Sequence, residues 1–189
     1  MPKNTPMNTP ASPPIKGLAY LAGYGEATQS QVRTLLAEGH LAERLQRRYT
    51  ELHSVRTDAA LYDYAMALKA RHMRSAPPLS KVVYDNRLHV IDNALGTHTT
   101  VARVQGNRLK AKREIRIAGI FRQMPEPLLK MIVVHELAHL KERGHDKAFY
   151  ALCEHMEPDY HQLEFDLRLS LLQAEFSGQP VWVARGAAA

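Results

Sequence analysis

The feature that most constrains the fold is a helix predicted over Leu128–Arg143, which is apolar almost all round. A surface helix would present one polar face, whereas this helix must be covered on nearly every side, so we expect it to be buried. Pro125 and Pro127 precede it at positions where first-turn amides lack intrahelical partners. Gly144 is expected to end it. The rest of the chain must therefore supply a core around this helix.

The same helix contains the sequence His135-Glu136-Leu137-Ala138-His139. Residues four apart share one face of a helix, so both imidazoles are expected to face the same point. Neutral imidazole is a preferred zinc ligand. Glu136 lies one step round the helix, where its carboxylate can reach a metal-bound water and accept its proton. Histidines that serve only packing are the alternative, but burying these groups without a metal or partners would cost several kcal/mol.

A third ligand is expected, because catalytic zinc sites normally have three from the protein. His145 lies six residues after His139 and directly after Gly144. A left-handed conformation at Gly144 would reverse the chain and return His145 to the metal. The sequence therefore predicts His135, His139 and His145 as zinc ligands and Glu136 as the catalytic base.

The first part of the chain has a different character. Residues 1–16 are rich in proline and polar residues, and we expect a disordered tail. Residues 17–78 are predicted to form a helical subdomain, because apolar residues recur at helical spacing over Glu26–Glu38, His40–Tyr49 and Asp58–Arg74.

Strands are predicted in the middle of the chain, over Lys81–Tyr84, Leu88–Ile91, Thr99–Gln105 and Arg108–Ile117. Gly106-Asn107 is a hairpin signal between the last two strands. We therefore expect an α+β fold in which a small antiparallel sheet packs on the HExxH helix.

Helices return in the last part of the chain. One is expected from Asp146 to about Met156, and another from Pro158 to about Phe176. Residues 178–189 are predicted to be a flexible tail, in which Trp182 has no assigned role.

The positive charge of the chain is concentrated in one segment. Residues 101–122 contain seven basic residues against Glu114, so their net charge of +6 equals that of all 189 residues. One interpretation is an edge strand whose lysines block aggregation. The other is that Lys112–Ile117 is an edge strand above the HExxH helix, which pairs with extended substrate and favours acidic peptides or proteins held on nucleic acid.

Composition excludes several classes of protein. No apolar run reaches the roughly 18 residues needed to span a bilayer, so no membrane association is expected. The first residues lack the hydrophobic segment of a secretory signal. Cys153 is the single cysteine, which excludes an internal disulfide and is expected to be a small buried hydrophobe. A cytoplasmic location is the expectation.

The segment HELAHLKERGHDKAFYALCEHMEPDY, together with Ile132-Val133-Val134 before it, resembles the YgjP-like zinc metallopeptidases. It is similar also to the WLM and SprT-like proteases, and the resemblance covers roughly residues 79–170. It implies a zincin-like fold for a domain at 79–177, with zinc bound by His135, His139 and His145 and with Glu136 as base.

Weaker candidates lie close to the site in sequence. Stabilisation of a tetrahedral oxyanion is one role open to Tyr150, His155, Tyr160 and His161, and packing or surface exposure is the alternative for each. Met156 is either a hydrophobic floor under the zinc or a core residue.

Three functions follow from these observations. The leading one is a zinc-dependent peptidase in which a metal-activated water attacks a peptide carbonyl of a peptide or protein substrate. The second is a protease that acts on proteins bound to DNA, which requires contact with nucleic acid. The third is a non-catalytic, zinc-stabilised scaffold, against which Glu136 argues, because a structural site does not need that carboxylate.

Overall fold

The computed structural model describes residues 18–88, 96–105 and 108–183, and only the backbone between 96 and 112. Several predictions concern residues outside this description: the tail at 1–16, most of the strand at Leu88–Ile91, the turn at Gly106-Asn107 and the last six residues of the C-terminal tail.

Three helices form the first part of the described chain, as predicted. They are α1 (Glu26–Ala37), α2 (His40–Arg48) and α3 (Asp58–His72). Gly39 joins the first two with φ of 73°, in the left-handed region that glycine tolerates. The Thr57 hydroxyl caps α3 by accepting from the backbone N–H of Ala60. Local sequence signals are therefore sufficient for these helices.

The sheet has three strands, β1 (Lys81–Asp85), β2 (Gly96–Gln105) and β3 (Arg108–Ala118). Their order is β1-β3-β2, with β2 antiparallel and β1 parallel to β3. The prediction of an antiparallel sheet is therefore wrong for β1, and the sheet is mixed. The reason lies in side-chain burial. The parallel register sets buried Val82 and Tyr84 opposite buried Ile115 and Ile117, whereas a local turn signal does not fix a strand's partner.

The position of β3 also corrects both interpretations of the basic segment. It is the central strand of the described sheet, so Lys112–Ile117 is not an edge. The two edge strands are β1 and β2. Two arginines of the basic segment have partners on the β1 side. Arg116 pairs with Asp85 at 3.0 Å, and Arg122 donates to the Asn86 amide oxygen at 2.7 Å.

Three further helices complete the fold: α4 (Glu126–Ala138), α5 (Lys147–Met156) and α6 (Tyr160–Ser177). The buried position predicted for the apolar helix is confirmed, since α4 contacts α3, α5, α6, β2 and β3. Its predicted end is wrong, because α4 stops at Ala138 and His139 is its C-cap. The overall class is α+β.

One hydrophobic core joins the N-terminal helices to the rest of the described chain. Val181 and Trp182, which were expected in a flexible tail, are buried against it. The Trp182 indole N–H donates to the backbone oxygen of Tyr49 at 3.1 Å, and the Gln46 amide donates to that of Val181 at 2.7 Å.

The division into domains stays a prediction. Within the described residues, no helix has the length and apolar character to cross a bilayer.

Candidate metal centre

The three predicted histidines meet where α4 ends and α5 begins. His135 lies in the last turn of α4, His139 is its C-cap, and His145 directly precedes Asp146. The Asp146 carboxylate caps α5 by accepting from the backbone N–H groups of Ala148 and Phe149, both at 3.0 Å. The last turn of α4 and the short connection to α5 therefore hold all three imidazoles.

The turn does not use the glycine in the way that the sequence suggested. Among the described glycines only Gly39 and Gly178 have positive φ, so Gly144 is not left-handed. A Cβ added at Gly144 would meet no atom within 4 Å. The chain instead changes direction directly after α4, where the N–H of Leu140 donates to Leu137 and that of Lys141 to Ala138, both at 3.0 Å. The early end of the helix is what brings His145 back.

The Nε2 atoms of the three histidines converge on one point. They lie 3.3 Å apart for His135 and His139, and 3.1 Å apart for each of these and His145. Tetrahedral zinc with Zn–N bonds of about 2.0–2.1 Å requires N···N separations of about 3.3–3.4 Å. The donor set and its spacing therefore fit a metal ion of this kind.

Each of the first two histidines is held through its other ring nitrogen. The His139 Nδ1–H donates to the backbone carbonyl of Glu142 at 2.9 Å, which leaves its Nε2 lone pair for a metal. The Nδ1 of His135 lies 2.6 Å from the hydroxyl of Tyr160, at the start of α6. Such contacts fix the ring orientation of metal-binding histidines.

Phe149 forms the apolar floor of the site. Its buried ring lies 4.9, 4.6 and 4.7 Å from the ring centres of His135, His139 and His145. Met156, considered for this role from the sequence, belongs to the hydrophobic core. No spacing rule marked Phe149 as different from the other apolar residues of α5, so the sequence did not identify it.

Burial controls the charge state of the site. Desolvation, together with the neighbouring His139 and His145, lowers the pKa of His135 to about 3, and desolvation also lowers the pKa of His139. Both are thus neutral, which is the form that binds metals. Glu136 is only 2% exposed, and burial raises its pKa to about 8. A cation held by the histidines would oppose that shift by favouring the carboxylate.

The four weaker candidates have different surroundings. Tyr160 is buried against His135, the His155 ring lies 5.7 Å from that of His72, and His161 pairs with Glu154 at 3.4 Å. Tyr150 is half-buried with its ring 6.5 Å from that of His145, and its hydroxyl bonds no described residue. Of the four, Tyr150 has the position most suited to contacting a substrate. Metal binding and the role of Glu136 stay predictions.

Three histidines converging at the end of a buried helix in an α+β fold are typical of metal-dependent hydrolases. Residues 98–169 match the family described as YgjP-like, metallopeptidase domain. A protein of Escherichia coli (strain K12) named UTP pyrophosphatase is 60% identical over 159 residues, which are 84% of this chain and 95% of that protein. The chain therefore belongs to the YgjP-like family. No solved structure matches it.

Proposed function

We propose that this protein is a metal-dependent hydrolase that releases pyrophosphate from UTP or a closely related nucleoside triphosphate. The convergence of His135, His139 and His145 beside Glu136 is the observation that carries the hydrolytic chemistry. The substrate class rests on the name of the 60% identical relative, since the alignment includes 95% of that protein.

The metal we propose is zinc, held by the three Nε2 atoms. Bound there, it would lower the pKa of a water molecule and polarise the bond to be cleaved. Access supports a catalytic centre, because His145 is exposed and the group of three is open to solvent on that side. A purely structural zinc site is normally closed by a fourth protein ligand, and this group has three within the described residues.

Glu136 is the general base of the proposed reaction. Its carboxylate accepts a proton from the attacking water while the water oxygen bonds to the α-phosphorus. The bond from that phosphorus to the bridging oxygen breaks, and pyrophosphate leaves with the electron pair. The products are the nucleoside monophosphate and pyrophosphate, which balance one triphosphate and one water.

Exposed cations beside the metal centre suit a polyanionic substrate. Lys141 and Arg143 belong to the turn that carries His145, and Lys147 begins α5. None of the three forms an ion pair within the described part of the chain. Clustered cations raise the local concentration of an anionic substrate.

Peptide hydrolysis is a second candidate, supported by the family description and by the HExxH spacing. In this reaction an extended peptide substrate would pair with β2, an edge strand of the described sheet that contacts α4. Proteolysis of DNA-bound proteins, a zinc-stabilised scaffold and a cytoplasmic location stay predictions.

The deciding experiment compares substrates on one zinc-loaded preparation. Pyrophosphate release is measured with UTP, and new amino termini are measured with a mixed peptide library. We expect pyrophosphate from UTP, lost in Glu136→Gln, and no peptide cleavage. New amino termini without pyrophosphate would contradict the pyrophosphatase proposal and support peptide hydrolysis. If neither substrate reacts, both candidates are contradicted.

A further inference from the structure

The contact between His135 and Tyr160 joins two elements that are distant in sequence. Tyr160 begins α6, lies 25 residues after His135 and has a side chain with 0% exposure. Its hydroxyl lies 2.6 Å from the His135 Nδ1, and the two rings are almost parallel, at 18°. A buried phenol hydroxyl needs a hydrogen-bond partner, and here it has a ring nitrogen of a predicted metal ligand.

Support for the three histidines is unequal. His139 is held by a carbonyl of its own turn, and the Nδ1 of exposed His145 bonds no described residue. His135 is the one that a side chain from another helix holds. Its orientation therefore depends on how α6 packs against α4, whereas that of His139 is set locally.

The direction of the hydrogen bond follows from the convergence of the ring nitrogens. If the His135 Nε2 presents its lone pair to a metal, the ring proton must reside on Nδ1. The Nδ1–H then donates to the Tyr160 oxygen. The hydroxyl hydrogen of Tyr160 is then available to a further acceptor.

We propose that Tyr160 is a positioning residue for the metal centre. Its hydroxyl keeps the His135 proton on Nδ1 and directs the Nε2 lone pair toward the ion. The packing of α6 against α4 is thereby coupled to metal affinity. This inference rests on the metal site of the proposed function, but it concerns metal binding and not the identity of the substrate.

The test is the zinc affinity of the full-length Tyr160→Phe variant, measured by competition with a chromophoric chelator. The substitution removes only the hydroxyl, and we expect zinc to bind about 10- to 100-fold more weakly, as when other partners of metal-binding histidines are lost. Tyr150→Phe is the matched control. It removes a nearby hydroxyl without a described hydrogen bond, so its zinc affinity should equal that of the wild type.

A second measurement keeps the inference testable if Tyr160→Phe does not fold. Long-range ¹H–¹⁵N NMR spectra of the zinc-loaded wild type report which nitrogen of His135 carries the proton, and we expect Nδ1. Coordination through Nδ1 would overturn the inference, as would wild-type zinc affinity in a folded Tyr160→Phe protein. If the wild type itself bound no zinc, the proposed metal site would fail, and this inference with it.

Discussion

Glu136 differs from the three histidines in what surrounds it. The ring nitrogens of His135 and His139 have partners, whereas the Glu136 carboxylate is buried without a hydrogen bond or ion pair to a described side chain. An uncompensated buried carboxylate is costly unless a cation or a reacting group is its partner. Stability alone does not explain its residue type, whereas the proposed role as general base does.

Glu136→Gln keeps the size and burial of this side chain but removes the base. We expect pyrophosphate release from UTP to fall about 100- to 10,000-fold, the usual contribution of general-base catalysis. Zinc content should stay at the wild-type level, since the variant retains all three histidines. Steady-state kinetics and metal analysis measure the two quantities.

Glu154→Gln is the matched control, because Glu154 is an exposed glutamate of α5 whose partner is His161. It should leave activity unchanged. Full hydrolysis by Glu136→Gln would remove Glu136 from the mechanism.

Gly144 offers a second test at the scale of single residues. It has neither a positive φ nor a close neighbour, so Ala should fit without strain. We expect Gly144→Ala to stabilise the protein by about 0.4–1 kcal/mol, because it restricts the unfolded chain. Gly39→Ala should instead destabilise it by about 1–2 kcal/mol, because Gly39 is left-handed. Urea unfolding of both variants measures the difference. If Gly144→Ala were destabilising, the result would indicate a left-handed conformation at Gly144 and contradict this prediction.

At the scale of elements, the turn between α4 and α5 places exposed cations close to the candidate metal centre. Lys141 and Arg143 are exposed there, close in sequence to both His139 and His145. Replacing both with Ala should raise the KM for UTP about tenfold, a loss of about 1.4 kcal/mol of binding free energy. The zinc affinity should not change. Kinetics at two salt concentrations measure the effect, which salt should weaken in the wild type.

A double variant of Arg44 and Arg71 to Ala removes the same charge from exposed positions on α2 and α3. It should leave the KM close to that of the wild type. An equal rise in KM for both double variants would mean that net charge, and not the turn, attracts the substrate.

The helices and the grouping of His135, His139 and His145 could be predicted from the sequence because their signals are local, and the role of these histidines as metal ligands stays a prediction. Helical spacing sets the face shared by His135 and His139. The apolar residues all round α4 predicted its burial. The sheet could not be predicted in full, since the parallel pairing of β1 with β3 depends on which buried faces match at long range. Tyr160 was a candidate from the sequence, but its contact with His135 could not be predicted, and neither could the position of Phe149, because these contacts exist only after α5 and α6 pack.

At the scale of the whole molecule, the C-terminal segment completes the core. Trp182 is 9% exposed and bonds α2's C-cap, Tyr49, whose hydroxyl donates to buried Asp166 of α6 at 2.6 Å. The C-terminal segment is thus joined to the end of α2, and the end of α2 to α6. This arrangement could not be inferred from the composition of residues 178–189.

Trp182→Ala removes a large buried side chain and its hydrogen bond. We expect it to destabilise the protein by about 3–5 kcal/mol, as for other buried aromatic residues. Phe176→Ala is the control, because Phe176 is 51% exposed and should matter little. Thermal and urea unfolding measure both. If the two variants were equally stable, the segment would contribute nothing to the core.

The central claim is that three histidines hold a metal on which hydrolysis depends. Its most direct test is to titrate zinc into the metal-free protein while pyrophosphate release from UTP is recorded. Activity should be absent at the start, should rise in proportion to bound zinc and should saturate at one ion per chain, whereas His139→Ala should stay inactive. Undiminished pyrophosphate release by the metal-free protein in the presence of a chelator would contradict the claim.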